Sequence, residues 1–145
     1  FIFLLKFMDA KLSTHGLLDA AQMGMRSALG VIFIVHGFSK FGNPSFGGWI
    51  SSMGIPAEMQ IPIACAELIP GILLIFGILT RISASLLSIV MLGAIFLVKG
   101  ASNLTGERGY ELDLVLLAVC LVVIVTGPGR VSLSHALKKI PRVLH

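Results

Sequence analysis

Charge is the scarcest property of this sequence. Acidic and basic residues make up 12% of its 145 positions and hydrophobic ones 56%, against about 25% and roughly 45–50% in soluble domains. With a mean hydropathy of +0.97, these proportions exclude a soluble globule. Cysteine is nearly absent: Cys65 and Cys120 are the only two and form no CxxC pair, which argues against a disulfide framework and a dithiol relay. Thiols in apolar surroundings are usually inert, so both read as packing residues. The four histidines, His15, His36, His135 and His145, show neither HxH nor HxxH spacing, and no metal site is expected. A dinucleotide fingerprint, a phosphate loop and a nucleophile elbow are also missing. No internal repeat or low-complexity segment interrupts the chain.

Long apolar runs fill the sequence instead. A bilayer core takes about 20 apolar residues, within a range of roughly 17–25, and four windows meet that need: 20–41, 57–79, 82–99 and 110–126. The expected fold is an all-α membrane protein, an up-down-up-down bundle of four transmembrane helices over residues 20–130. Residues 1–19 form a cytoplasmic or interfacial lead-in, which lacks the ordered basic, apolar and small-residue regions of a secretory signal. Residues 131–145 form a basic cytoplasmic tail. Basic residues beside short loops stay on the cytoplasmic side. With four spans, Lys6, Lys11, Arg26, Arg81, Arg130, Lys138, Lys139 and Arg142 share one side and Lys40, Lys99 and Arg108 the other, so both termini are placed inside, in the plasma membrane of a prokaryote. This asymmetry accounts for the net charge of +4 through anionic lipid headgroups, without nucleic acid.

Turn chemistry divides the spans. The run GNPSFGG at 42–48 ends the first helix, and 46–53, with the single Trp49, reads as a re-entrant or interfacial segment with its aromatic ring at headgroup level. Pro56 opens the second helix, where its missing N–H costs nothing. Pro62 and Pro70 lie within that span and predict a kink flanking Glu67. Gly71 and Gly77 offer small surfaces for close helix approach. GPGR at 127–130 stops the fourth helix.

The charges that do enter the spans each require a partner, because a charge at the bilayer centre costs about 2.5–3.5 kcal/mol on insertion scales. Glu67 is the deepest, in a run from 56 to 79 whose only other acid is Glu58. With helix midpoints near Val31 and Leu68, Arg26 and His36 each lie about five residues off centre, roughly 7–8 Å. Arg26–Glu67 is the preferred pairing, for the reach of its guanidinium, and His36–Glu67 is admissible. A second cluster gathers His36, Lys40, Lys99, Glu111 and Asp113 at the outer end. Glu111 and Asp113, two apart, face different ways, so one turns inward. Such pairs can simply fix helix register, and Lys40 and Lys99 can snorkel. Alternatively, His36, Lys40, Glu67 and Glu111 could surround a quinone headgroup near the outer leaflet.

Five stretches in order resemble the DoxX family: RSALGVIFIVHGFSKF at 26–41, GIP at 54–56, AELIPGILLIFGILTR at 66–81, GYELDLVLL at 109–117 and GPGRVSL at 127–133. The resemblance covers about 25–134. It implies a four-helix integral membrane protein in which Arg26, His36, Lys40, Glu67, Arg81 and Glu111 occupy recurring polar positions. It further implies kinship with membrane subunits of quinone-linked oxidoreductases, terminal oxidases and oxidative-stress complexes. Two positions depart from the pattern. Lys99 stands where the family often has histidine, and Asp113 where relatives are usually apolar. The expected function is an accessory, mainly structural subunit of a larger membrane redox complex, in the bilayer with other subunits and not an enzyme alone. The alternatives are a quinone-binding redox subunit and a small-solute or proton conduit.

Overall fold

The computed structural model describes residues 16–137. The lead-in before Gly16 and the tail from residue 138 lie outside the described residues. Within them every regular element is helical. Helix α1 runs over Gly16–Phe41, α2 over Pro44–Ser52 and α3 over Gln60–Phe76, the last entered through a 3-10 turn at Ala57–Met59. Helix α4 covers Thr80–Gly93 and widens into a π-helical turn at Ala94–Val98; α5 covers Glu111–Thr126 and a short α6 Leu133–Ala136.

Local chemistry sets the boundaries. Asn43 caps α2 by accepting from the Ser45 amide at 3.1 Å, with Pro44 in the first turn; both are favoured helix-start choices. The segment around Trp49 is therefore a regular nine-residue helix, with Gly47 and Ile50 buried and Trp49 about half exposed. Pro62 falls in the first turn of α3, where an N–H has no intrahelical partner in any case, so only Pro70 interrupts the ladder. Gly77, at φ +68°, closes α3: the Ile78 amide donates to the Leu73 carbonyl at 3.0 Å, the six-to-one bond of a Schellman turn. The second span ends at Phe76 and the third begins at Thr80, a three-residue corner lying two to three residues earlier in the chain than the sequence windows placed it.

Helices α1 and α3 lie antiparallel in the most extensive contact of the molecule, and glycine is the reason. A Cβ on Gly30 would stand 2.6 Å from the Gly71 carbonyl oxygen, one on Gly71 2.9 Å from the Gly30 oxygen, and one on Gly37 2.8 Å from main-chain atoms of Ala64 and Leu68. The two backbones touch, as small residues permit in membranes. Each of α1, α3, α4 and α5 packs on the next, and α5 returns to α1. Their shared core is Leu29 and Phe33, Leu74, Ala84, Leu87 and Met91, Leu116, Cys120 and Val123.

Among the described residues three stretches are long and apolar enough to cross a membrane: Gly16–Phe41, Ala57–Phe76 and Thr80–Val98. Helix α5 has 16 residues, about 24 Å at 1.5 Å per residue. Outward faces are apolar on all four long helices, as with Val35 and Phe38, Ile69 and Phe76, Ile89 and Phe96, and Val115 and Val122. Such faces suit lipid.

Candidate functional site

The glycine seam fixes which charges meet. With Gly37 seated against Ala64 and Leu68, the end of α1 overlies the middle of α3. Side chains on a helix lean toward its amino-terminus, so Lys40 reaches back one turn to the level of Glu67. Its ammonium bonds Glu67 Oε1. The Glu67 side chain is 1% exposed and that of Lys40 26%; Glu67 Oε2 is buried without a hydrogen-bond partner. Helix α2 walls the pair. Lys40 Nζ lies 5.8 Å from the Phe46 ring centroid, and Phe46 packs on Trp49 at 5.6 Å. Gln60 Nε2 donates to the carbonyls of Lys40 and Asn43 at 2.9 and 2.8 Å, tying the α1–α2 corner to the start of α3.

Neither partner expected for Glu67 is the one observed. Arg26 lies level with the carboxyl end of α3, because the seam sets Gly30 opposite Gly71 and leaves the guanidinium about two turns beyond Glu67. There Nη1 donates to the Leu74 carbonyl at 2.8 Å and the Ile75 carbonyl at 3.3 Å, and Nη2 to the Val131 carbonyl at 2.7 Å. The cation thus satisfies carbonyls at a helix carboxyl end, where positive charge is favoured, and ties them to the segment after α5. His36 is rotated about 100° around α1 from the glycine that meets α3. Its ring makes no hydrogen bond or ion pair among the described residues, and the side-chain bond at this residue is the one its carbonyl accepts from Ser39 Oγ at 2.8 Å.

Of the expected outer cluster only Lys99 and Asp113 pair with each other; Lys40 pairs instead with Glu67, and the side chains of His36 and Glu111 join neither pair. Lys99 bonds Asp113 Oδ2 at 2.5 Å and the Gly109 carbonyl at 3.0 Å, closing the 100–110 loop over the ends of α4 and α5. The π-helical turn supplies the aim, since its wide bonds, such as the Lys99 amide to the Ala94 carbonyl at 3.0 Å, shift the side chain's phase from that of a regular helix. Asp113 is the acid that turns inward; Glu111 is exposed. The two departures from the family pattern are therefore partners of each other, a pairing that the sequence placed in one cluster without selecting it. Sequence reasoning also missed Gln60. Its signal, a polar residue opening an otherwise apolar span, was legible.

Among the described residues no group of three or more His, Cys, Asp or Glu side chains could hold a metal ion. Cys65 and Cys120 are both free thiols. The chemistry the geometry permits is hydrogen bonding and charge pairing: the ammonium of a partly exposed lysine beside a buried carboxylate with one unused oxygen.

The family model described as DoxX matches residues 21–100. A Bacillus subtilis (strain 168) protein named "Putative oxidoreductase CatD" is 38% identical over 111 residues, 76% of this chain and 81% of that one. "Uncharacterized membrane protein Rv3486" of Mycobacterium tuberculosis (strain H37Rv) is 32% identical over 130 residues, 79% of this chain and 80% of its own. An "Uncharacterized protein" of Haemophilus influenzae is 38% identical over 88 residues, 59% and 58% of the two chains. No solved structure matches. With a family match over more than half its length and a relative 38% identical across most of both chains, this helical membrane protein belongs to the DoxX family.

Proposed function

We propose that the protein is an integral membrane subunit of a larger redox complex, in which it serves chiefly as a scaffold. All four long helices cross the prokaryotic plasma membrane, with both termini on the cytoplasmic side as the basic residues indicate. The observation that carries the reading is how the membrane charges are used. Lys40 holds Glu67, Lys99 holds Asp113, and Arg26 holds the carbonyls of Leu74, Ile75 and Val131. Each charge joins two segments, so the polar interior secures the helices while apolar faces remain for lipid and partner subunits. The CatD relative, named as an oxidoreductase, supplies the class of system. Extraction from native membranes in a mild detergent, followed by native mass measurement and absorption spectroscopy, tests this. The expected result is a complex well above 15.4 kDa that carries a flavin, haem or metal subunit; the chain migrating alone refutes it.

One feature favours a second reading, a binding site for a quinone headgroup. Glu67 Oε2 has no hydrogen-bond partner, the Lys40 ammonium beside it is partly open, and Phe46 supplies an aromatic wall. These fit a quinol headgroup, with one ring hydroxyl donating to Glu67 Oε2 and the other accepting from the Lys40 ammonium. His36 and Glu111 fall outside this set, the first because its ring makes no hydrogen bond or ion pair with the two and the second by its exposure on α5. Purified protein should then bind a short-chain quinol, and E67Q should weaken binding about tenfold or more, as loss of a charge-assisted hydrogen bond implies. Equal binding by E67Q that keeps its wild-type elution profile removes this reading.

A further inference from the structure

We propose that the corner between α3 and α4 is a binding site for an oxyanion of the phosphate class, formed by Arg26, Thr80, Arg81 and Ser134. It lies away from the Lys40–Glu67 pair and stands independently of any redox role.

Five buried side-chain polar atoms lack a hydrogen-bond partner among the described residues: Arg26 Nε, Thr80 Oγ1, Arg81 Nε, Ser134 Oγ and Glu67 Oε2. Four belong to this corner. Arg26 meets Gly77 so closely that a Cβ there would stand 2.0 Å from Nη1, and Thr80 and Arg81 follow three and four residues later. The Ser134 amide donates to the Gly77 carbonyl at 3.2 Å, which fixes Ser134 at the same corner. Thr80 is 0% exposed and Arg26 1%.

The charge is uncompensated as well. Of the described acids, Glu67 is held by Lys40, Asp113 by Lys99 and Asp19 by Arg130, and no carboxylate pairs with Arg26 or Arg81. The Arg26 acceptors are all neutral carbonyls. Thr80 and Arg81 are the first two residues of the fourteen-residue helix α4, whose cap residue Leu79 offers no side-chain acceptor. The first-turn amides and the helix dipole therefore add positive potential at this point. Two guanidinium N–H groups, two hydroxyls and a helix amino-terminus are thus unused donors at this corner, and no carboxylate among the described residues pairs with them. A water molecule could accept from the hydroxyls, but only an anion also offsets two guanidinium charges in a low-dielectric setting. A tetrahedral oxyanion has the acceptor number and charge for this set. It can come from a phospholipid headgroup at the membrane surface or from free phosphate.

The test uses the full chain, purified and delipidated in an uncharged detergent, and reads the thermal unfolding midpoint. Inorganic phosphate is compared with chloride at equal ionic strength, and phosphatidylglycerol with phosphatidylcholine in mixed micelles. The expected result is a rise of several degrees with phosphate, marking a free oxyanion, or with phosphatidylglycerol alone, marking a lipid headgroup. In either arm half-saturation shifts about tenfold or more in Arg81→Gln and in Thr80→Val, while Arg108→Gln, in the 100–110 loop, responds as wild type. No rise above the chloride and phosphatidylcholine controls overturns the proposal. So does an undiminished response in both corner variants, or an equal loss in Arg108→Gln, which would mark charge without a site.

Discussion

Gly71→Val should abolish the folded chain. At this position even a single added carbon meets main-chain atoms, the Gly30 carbonyl oxygen at 2.9 Å and the Ile34 amide nitrogen at 3.1 Å, and main chain cannot rotate aside as a side-chain tip does. Overpacking ordinarily costs about 1–3 kcal/mol, occasionally more, and Gly71→Ala should fall in that range. Valine adds two γ-carbons and forces α1 and α3 apart, so the loss spreads. The same seam brings Lys40 to Glu67 and Arg26 to the Leu74 and Ile75 carbonyls, and parting the helices strands a buried carboxylate. The sum approaches the roughly 5–15 kcal/mol that holds a typical domain together. In size-exclusion of a fluorescent fusion, Gly71→Val should lose the monodisperse peak that Gly71→Ala keeps at a lower unfolding midpoint. A Gly71→Val protein as stable as wild type would show that the seam is not a tight contact.

Much of this architecture was legible in the sequence, and the exceptions have physical causes. Hydropathy alone places the long helices to within a few residues, because backbone groups in lipid must be satisfied within the segment. Turn residues mark the rest: Asn43-Pro44 opens α2 and Gly77 closes α3. The register between α1 and α3 was not legible. Midpoint estimates put Arg26 and His36 equally near Glu67, yet register is set by where glycines let two backbones touch, and Gly30, Gly37 and Gly71 settle it. Lys40 lay outside the pairing argument for Glu67 because its Cα sits near the helix end; the backward lean of helical side chains brings its ammonium down to the acid. The sequence placed Lys99 and Asp113 in one outer cluster but did not pair them, since a π-helical turn has no sequence signature strong enough to set a phase.

The buried pair itself carries the second large effect. Lys40→Met removes the one partner of a carboxylate that is 1% exposed, and breaking a buried pair from one side costs about 3–5 kcal/mol because the remaining charge is left uncompensated. Replacing both charges by apolar groups of similar volume is often neutral or stabilising. Arginine at position 40 keeps the charge but brings a planar fork where a compact ammonium sits, so Lys40→Arg should restore only part of the stability.

If the membrane charges act mainly as ties between helices, the decisive measurement is a double-mutant cycle of Lys40→Met and Glu67→Leu, read by unfolding in mixed micelles. The expected result is a loss of about 3–5 kcal/mol in Lys40→Met and a double variant within about 1 kcal/mol of wild type, still extracted in the same high-mass complex. Single variants that each lose less than about 0.5 kcal/mol and simply add in the double would contradict the account. A stable double variant that drops out of the complex would contradict it equally, since the pair would then serve a partner or ligand and not the bundle.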